Sequence, residues 1–314
     1  MPPVPPFGRL LTAMVTPFTD GGEVDYDGAA ALASYLVDEL AHDGLVISGT
    51  TGESPTTSDA EKAELLRVVV DAVGDRSHVL AGVGTFDTEH TLSLAADAEK
   101  VGAAGLLVVT PYYSRPPQAG LLSHFRTVAD AAGLPIMLYN IPHRSGVPIL
   151  TDTMLRLAEH PRIVAVKDAK GDLSASAQVM ATSDLAYYSG DDALTLPLLS
   201  IGAVGVVGTS THFTGVGMHR LIEAQLAGDP QTALAWHQRL LPVFTGVFAT
   251  QGCILVKDGL RQLGRGNGRL RSPMPPATAA ESAALAVCLR AADLLTSDGT
   301  EIGPAKESGN LTGD

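Results

Sequence analysis

The sequence predicts an α/β fold, a (β/α)8 TIM barrel that carries a C-terminal helical appendage. Three observations lead there: short apolar runs alternate with amphipathic helix-like stretches, the alternation repeats eight times, and no G-x-G-x-x-G follows the first run. Each unit spans about 25 to 30 residues, the spacing of a barrel. A doubly wound sheet, the competing architecture, would need fewer units and a glycine fingerprint after its first strand. At 314 residues the chain has room for two domains or for one barrel with an appendage. The repeat count favours the second.

In chain order the strand candidates are residues 10–16, 44–48, 78–83, 105–110, 135–140, 163–167, 185–189 and 204–208. Most are apolar throughout, as strands buried on both faces are. The helical stretches between them are 26–40, 58–73, 88–101, 118–132, 151–159, 173–182, 192–201 and 215–227. Ser58 with Glu61 makes a capping box, and Asp25 and Thr151 suit N-caps. Gly102, Gly133 and Gly228 follow helices and suit left-handed C-caps. After the eighth unit only helical segments remain, at 230–247, 251–263 and 277–295. The predicted organisation is a barrel domain over 1–228, a helical domain over 229–296 and a disordered tail over 297–314, rich in Gly, Ser, Thr and acids. The tail's Asn310-Leu311-Thr312 matches a glycosylation sequon, read as chance because no secretion signal accompanies it.

A formal charge of -13 argues against nucleic acid, whose phosphates require clustered Lys and Arg. The opening MPPVPPFGRL has prolines where a signal peptide needs an apolar core, and no run of about 20 apolar residues occurs, so a soluble cytoplasmic protein is expected. Cys253 and Cys288 lie far apart without CxxC spacing and read as reduced thiols. Nine histidines show neither HxH nor HExxH pairing, so no metal site is expected.

Barrel active sites lie at the C-terminal ends of the strands. Those ends read TPF, SGTTGE, VG, TPYY, YN, KD, SGDD and GTS, which brings hydroxyls, tyrosines and one lysine to one face. Lys167 ends the apolar run IVAV, and alternation sets it on the face of Ala165 and Ile163. An amine attacks a carbonyl only when neutral. From an ordinary pKa of about 10.4, neutralising it at pH 7 costs about 4 to 5 kcal/mol, which a barrel interior would reduce. Lys170, beside Gly171 in the next loop, reads as a solvated surface lysine. Tyr139 ends the neighbouring strand; buried tyrosines ordinarily just pack, but beside an imine-forming lysine a phenol can shuttle protons. The loop from Gly49 to Glu53 either caps a helix or holds a carboxylate on consecutive N–H groups, with the Thr50 hydroxyl passing a proton. Arg144 can clamp a second carboxylate bidentately, although loop arginines are often only solvated. Asp191 and Asp192 read as caps of the following helix, with charge that discourages phosphate there.

The segments TAMVTPF, SGTTGESPTT, LLVVTPYYSRPPQAGLLSHF, LYNIPHRSG, VAVKDAKGD and YYSGDDALTLP occur in this order. Across about residues 10 to 295 the chain thereby resembles the dihydrodipicolinate synthase (4-hydroxy-tetrahydrodipicolinate synthase) family of class I, pyruvate-dependent aldolase-like barrels. The resemblance implies a lyase of lysine and diaminopimelate biosynthesis with no cofactor beyond a covalent imine on Lys167. Pyruvate would form that imine, and its enamine would attack L-aspartate-4-semialdehyde. Tyr139 and Thr50 would relay protons together with Tyr113, which in the family enters from a neighbouring subunit. Thr51 would hold the pyruvate carboxylate and Arg144 that of the aldehyde, with Gly49 and Val206 on the substrate-binding side. A homotetramer, a dimer of tight dimers, is implied.

Related lyases acting on N-acetylneuraminate or 2-keto-3-deoxy sugar acids share the lysine and tyrosine. GTTGE, the second tyrosine of Tyr112-Tyr113 and the arginine of HRSG favour the synthase. A keto-acid sensor without turnover is the non-enzymatic alternative, and the joint presence of Lys167, Tyr139, Thr50, Thr51, Tyr113 and Arg144 argues against it. Two regions depart from better-known members. GVVGTSTHF runs from within the eighth strand into the segment after it, and Phe86, His90, Asp59 and Lys62 stand where lysine-inhibited members carry other residues. Weak or absent feedback by lysine is therefore expected.

Overall fold

Apolar strands of four to six residues need cover on both faces, and closure into a cylinder under a coat of helices supplies it. The computed structural model describes residues 3–295. Parallel strands β1 (Leu10–Ala13), β2 (Gly44–Ile47), β3 (His78–Gly82), β4 (Gly105–Val109), β5 (Ile136–Asn140), β6 (Ile163–Asp168), β7 (Ala186–Ser189) and β8 (Gly205–Gly208) form a closed barrel in sequence order. β8 pairs back onto β1. The helices are α1 (Tyr26–Ser34), α2 (Asp59–Val73), α3 (Thr88–Val101), α4 (Gln118–Ala131), α5 (Pro142–Ser145), α6 (Thr151–Ala158), α7 (Leu173–Thr182), α8 (Thr195–Ser200), α9 (Thr211–Leu226), α10 (Pro230–Gly246), α11 (Gly252–Gln262) and α12 (Ala279–Ala291). The predicted tail over 297–314 and its sequon lie outside the described residues. Among the described residues no helix is long and apolar enough to cross a membrane.

Alternation along the strands makes two cores. Leu11, Val46, Leu80, Leu107 and Met137 pack inside the barrel, while their predecessors Leu10, Leu45, Val79, Leu106 and Ile136 pack outward with the helices. The same alternation corrects one site expectation. Val206 faces the helical layer, and Val207 is the residue of β8 that joins the interior.

A second correction concerns β6. Ile136 pairs with Ile163 but Met137 pairs with Ala165, so Val164 is an extra residue in the ladder. Ile163 therefore packs outward, not on the face of Ala165 and Lys167.

Most cap expectations hold. Ser58 and Glu61 form the capping box, Asp25 accepts from the Gly28 N–H at 2.9 Å, and Gly102 and Gly228 are left-handed. Thr151 is instead the first residue of α6, after Leu150, and α4 closes on Ala132 in extended conformation instead of on a left-handed Gly133. The stretch predicted from residue 26 is helical to Glu39, its last turn widened to a π-turn over Tyr35–Glu39.

α9 starts at Thr211, four residues ahead of the Gly215 predicted to open it. Gly215 sits inside the helix because a Cβ there would fall 2.6 Å from the Leu40 carbonyl oxygen. The early start also places His212 against β1. Its Nε2 accepts the Val15 N–H at 3.2 Å and its Nδ1–H donates to the Thr209 carbonyl at 2.8 Å. Burial holds this imidazole neutral, with its pKa pushed down to about 4. β1 ends at Ala13, short of its predicted end at residue 16.

Candidate active site

Two connected lobes open at the C-terminal ends of the strands. Thr50, Thr51, Tyr139, Arg144 and Lys167 line a cavity of about 440 Å³. Thr50, Tyr139 and Arg144 also border a neighbouring lobe of about 210 Å³, which Gly49 and Tyr112 complete. Strand ends supply the reactive groups and α10 and α11 close one side, since Phe244, Gln251 and Gly252 line the larger lobe. The helical appendage is thus part of the site.

Lys167 is 4% exposed, paired in register with Tyr139 on one side and Tyr188 on the other. Its Nζ lies 4.4 Å from the centre of the Tyr139 ring. Ala165 sits beneath it in the interior. Burial pulls its pKa down to about 8; the Asp192 carboxylate opposes this shift and the Arg144 guanidinium adds to it. A pKa of about 8 cuts the cost of a neutral amine at pH 7 to about 1.4 kcal/mol. Burial also pushes the Tyr139 phenol well above its ordinary range, so it remains protonated at neutral pH.

The other two lysines near these elements have partners. Lys170 is half-buried and lies 3.5 Å from the Asp172 carboxylate. Lys257 is as buried as Lys167, but its Nζ donates to Glu53 Oε1 at 2.5 Å and to the Arg269 carbonyl at 2.8 Å. An ammonium held by a carboxylate is a poor nucleophile.

The loop from Gly49 to Glu53 is bounded by left-handed residues, Ser48 at φ 59° and Glu53 at φ 54°. Backbone bonds from Glu53 N–H to the Thr50 carbonyl and from Ser54 N–H to the Gly49 carbonyl close it into a tight turn. Thr16 Oγ1 donates to the Gly52 carbonyl at 2.6 Å, and the Thr51 and Thr209 hydroxyls lie 3.4 Å apart. Arg144, on α5, is exposed and donates from Nη2 to Gln251 Oε1 at 3.0 Å.

Tyr113 lines neither lobe of its own chain. It stands 92% exposed with a left-handed backbone, φ 69°. Tyr112 is the tyrosine of the pair that borders the site, with its ring edge-to-face on Phe86.

Three features have no local sequence signal. Asp192 is not a helix cap but a buried carboxylate that accepts the Thr209 and Ser210 N–H groups of the strand-8 end; Asp191 does the capping. Burial raises the Asp192 pKa. A Cβ at Gly190 would fall 3.1 Å from Lys167 Cγ, so this glycine leaves the lysine stem its space. Gln251, which holds Arg144, is 107 residues from it in sequence. Among the described residues no group of His, Cys, Asp or Glu is arranged to hold a metal ion.

A family model, the Dihydrodipicolinate synthetase family, matches residues 6–292. The chain belongs to this family. Its relatives within the dihydrodipicolinate synthetase family include the 4-hydroxy-tetrahydrodipicolinate synthase of Acidothermus cellulolyticus, 66% identical over 89% of this chain and 91% of that one. The 4-hydroxy-tetrahydrodipicolinate synthase 2 of Streptomyces coelicolor is 60% identical over 92% of this chain and 96% of its own. Among solved structures of the family, DHDPS from Cyanidioschyzon merolae with lysine bound superposes with a TM-score of 0.90 at 43% identity, covering 92% of this chain and 99% of that one. The chloride-inhibited enzyme from Acinetobacter baumannii complexed with pyruvate gives a TM-score of 0.89 at 30% identity, covering 92% and 100%.

Proposed function

We propose that this chain condenses pyruvate with L-aspartate-4-semialdehyde, the reaction of a 4-hydroxy-tetrahydrodipicolinate synthase, a lyase of lysine biosynthesis. The observation that carries the reading is one buried lysine with no carboxylate of the described residues bonded to its Nζ, at the end of β6, in a cavity it shares with a protonated tyrosine. Relatives 60 to 66% identical that bear this enzyme name, and a family structure solved with pyruvate, support it.

In this reading neutral Lys167 Nζ attacks C2 of pyruvate. The resulting carbinolamine loses water, which requires one proton delivered to oxygen and one removed from nitrogen. Tyr139 moves these protons, and Thr50 extends the relay toward the Tyr113 hydroxyl of a second copy. Loss of a methyl proton from the imine gives an enamine, whose carbon bonds to the aldehyde carbon of the second substrate. Attack of that substrate's amine on the imine carbon closes the ring and frees Lys167. Thr51 and the N–H groups of the turn beginning at Gly49 hold the pyruvate carboxylate, and Arg144 holds that of the aldehyde. Tyr113 acts only across an interface, so we further propose a homotetramer of tight dimers in the cytoplasm.

A turnover assay with the two substrates tests this directly. Condensation is expected, with cleavage of N-acetylneuraminate and 2-keto-3-deoxy sugar acids at background; the reverse pattern would replace the reading with the sugar-acid aldolase. Arg144→Ala is expected to raise KM for the aldehyde by about 10- to 100-fold with KM for pyruvate little changed, as loss of a charge-assisted clamp predicts.

Inhibition by lysine is proposed to be weak or absent. Where lysine-inhibited relatives differ, Asp59 accepts a 2.8 Å bond from His90 and lies 3.6 Å from Lys62, while Phe86 is 60% exposed. A lysine dose series should leave the rate near its starting value through the micromolar range; half-inhibition within that range would refute the proposal.

A further inference from the structure

We propose that α11 is a positioning element for both carboxylate-binding arms of the cavity: Gln251 at its start orients Arg144, and Lys257, through Glu53, anchors the turn that carries Thr50 and Thr51. The inference rests on the roles proposed above for Arg144 and Thr51.

The first arm is held by a neutral acceptor. Gln251 Oε1 takes the N–H of Gly252 at 2.8 Å and Arg144 Nη2 at 3.0 Å. One contact caps α11 and the other pins an exposed guanidinium that otherwise samples many rotamers. An amide oxygen orients the guanidinium without cancelling its charge, so the remaining N–H groups stay available to a carboxylate. A carboxylate in the same place would hold it more firmly and compete with the ligand.

The second arm is held by a buried ion pair. Glu53 and Lys257 are each 4% exposed and come from positions 204 residues apart. Lys257 also donates to the Arg269 carbonyl and lies 4.0 Å over the Phe18 ring, while the second Glu53 oxygen accepts the Arg271 N–H at 3.1 Å. Glu53 thus has both carboxylate oxygens bonded and its backbone fixed in the left-handed region, at φ 54°. A non-glycine residue keeps that conformation when its surroundings over-determine it. Because Glu53 N–H closes the turn onto the Thr50 carbonyl, whatever fixes Glu53 also fixes the two threonines. Gln251 and Lys257 are six residues apart, about 9 Å along a helix axis, so one rigid rod reaches both sides of the cavity.

The two arms predict separable kinetics. Gln251→Ala is expected to raise KM for the aldehyde about 5- to 20-fold, with KM for pyruvate and the rate of borohydride-trapped pyruvate adduct unchanged. Gln251→Glu should raise the aldehyde KM further, because it neutralises Arg144. Removing one partner of the buried pair risks unfolding, so the informative variant is Glu53→Gln with Lys257→Met, which leaves no lone buried charge. It is expected to lower kcat/KM for pyruvate and the adduct-trapping rate by about 10- to 100-fold, with the aldehyde KM little changed and a cooperative melting transition retained. Unchanged aldehyde KM in Gln251→Ala, where Arg144→Ala does raise it, overturns the first arm. Unchanged pyruvate kinetics in the folded double variant overturn the second. An equal fall of kcat in every variant with neither KM moved would mean a merely structural role and overturn both. If Arg144→Ala itself leaves the aldehyde KM unchanged, the functional reading fails first, and that single variant identifies it as the cause.

Discussion

Lys167→Ala is expected to abolish turnover, with a loss on the order of 10⁴-fold or more, because among the described residues no other side chain lining the cavity can form the imine. Borohydride reduction in the presence of pyruvate should add the substrate's mass to the peptide containing Lys167 and to no other. A label on Lys170 or Lys257, or an alanine variant that keeps its rate, would sink the assignment; both lysines have carboxylate partners. Lys167→Met carries a second expectation, about stability. The folded pKa of Lys167 is lowered from 10.5 to about 8, so between those values the unfolded chain binds more protons than the folded one. Stability contributed by this site therefore rises with pH through that window. Below it both states are protonated and burying the ammonium costs on the order of 3 kcal/mol. Denaturant unfolding at pH 7 should show Lys167→Met more stable than the parent by about 1 to 3 kcal/mol, with the gap closing toward pH 10. A variant less stable at pH 7 would mean that the amine is better solvated than its burial implies.

Tyr139→Phe keeps the ring beside Lys167 and removes only the hydroxyl. It should lower kcat by about 10²- to 10³-fold, the range expected for losing a positioned proton shuttle. The phenol's pKa is pushed up by burial, so it acts as a neutral relay that accepts one proton as it gives another, not as a phenolate base. Imine trapping by borohydride should slow in the variant but reach the same end point, since the nucleophile is intact. Melting temperature should hardly move. A rate within threefold of the parent would exclude Tyr139 from the relay and shift that role to Thr50 or to solvent.

What the sequence made legible was what short-range pattern encodes. Eight apolar runs gave the barrel, and the Ser58–Glu61 box and the Asp25 cap came from adjacent residues. Lys167, Tyr139, Thr50, Thr51, Arg144 and Gly49 could be selected because a barrel puts strand ends together, and the two lobes do bring these six together. What it hid was what depends on phase or on distant partners. Val206 and Val207 are chemically alike, and only the ladder register says which one faces inward. Asp192 sits where a cap would, yet its partners are on the end of the next strand. Gly215 looks like a helix start because glycine is a poor helix former; the close approach of Leu40 requires it within the helix.

The extra residue in β6 lets Ile163 face the helices opposite Ile136 while Ala165 and Lys167 keep the inward register of Met137 and Tyr139. Side-chain direction along a strand is a matter of odd and even, and Val164 resets the count one place before Ala165 and three before Lys167. Deleting Val164 would leave an ordinary ladder in which Ile163 still faces the helices and Lys167 still pairs with Tyr139, so the amine would keep its inward aim. Removing Val166 instead would set Lys167 opposite Leu138, facing the helical layer, so the amine's aim tolerates a change of length before Ala165 and none after it.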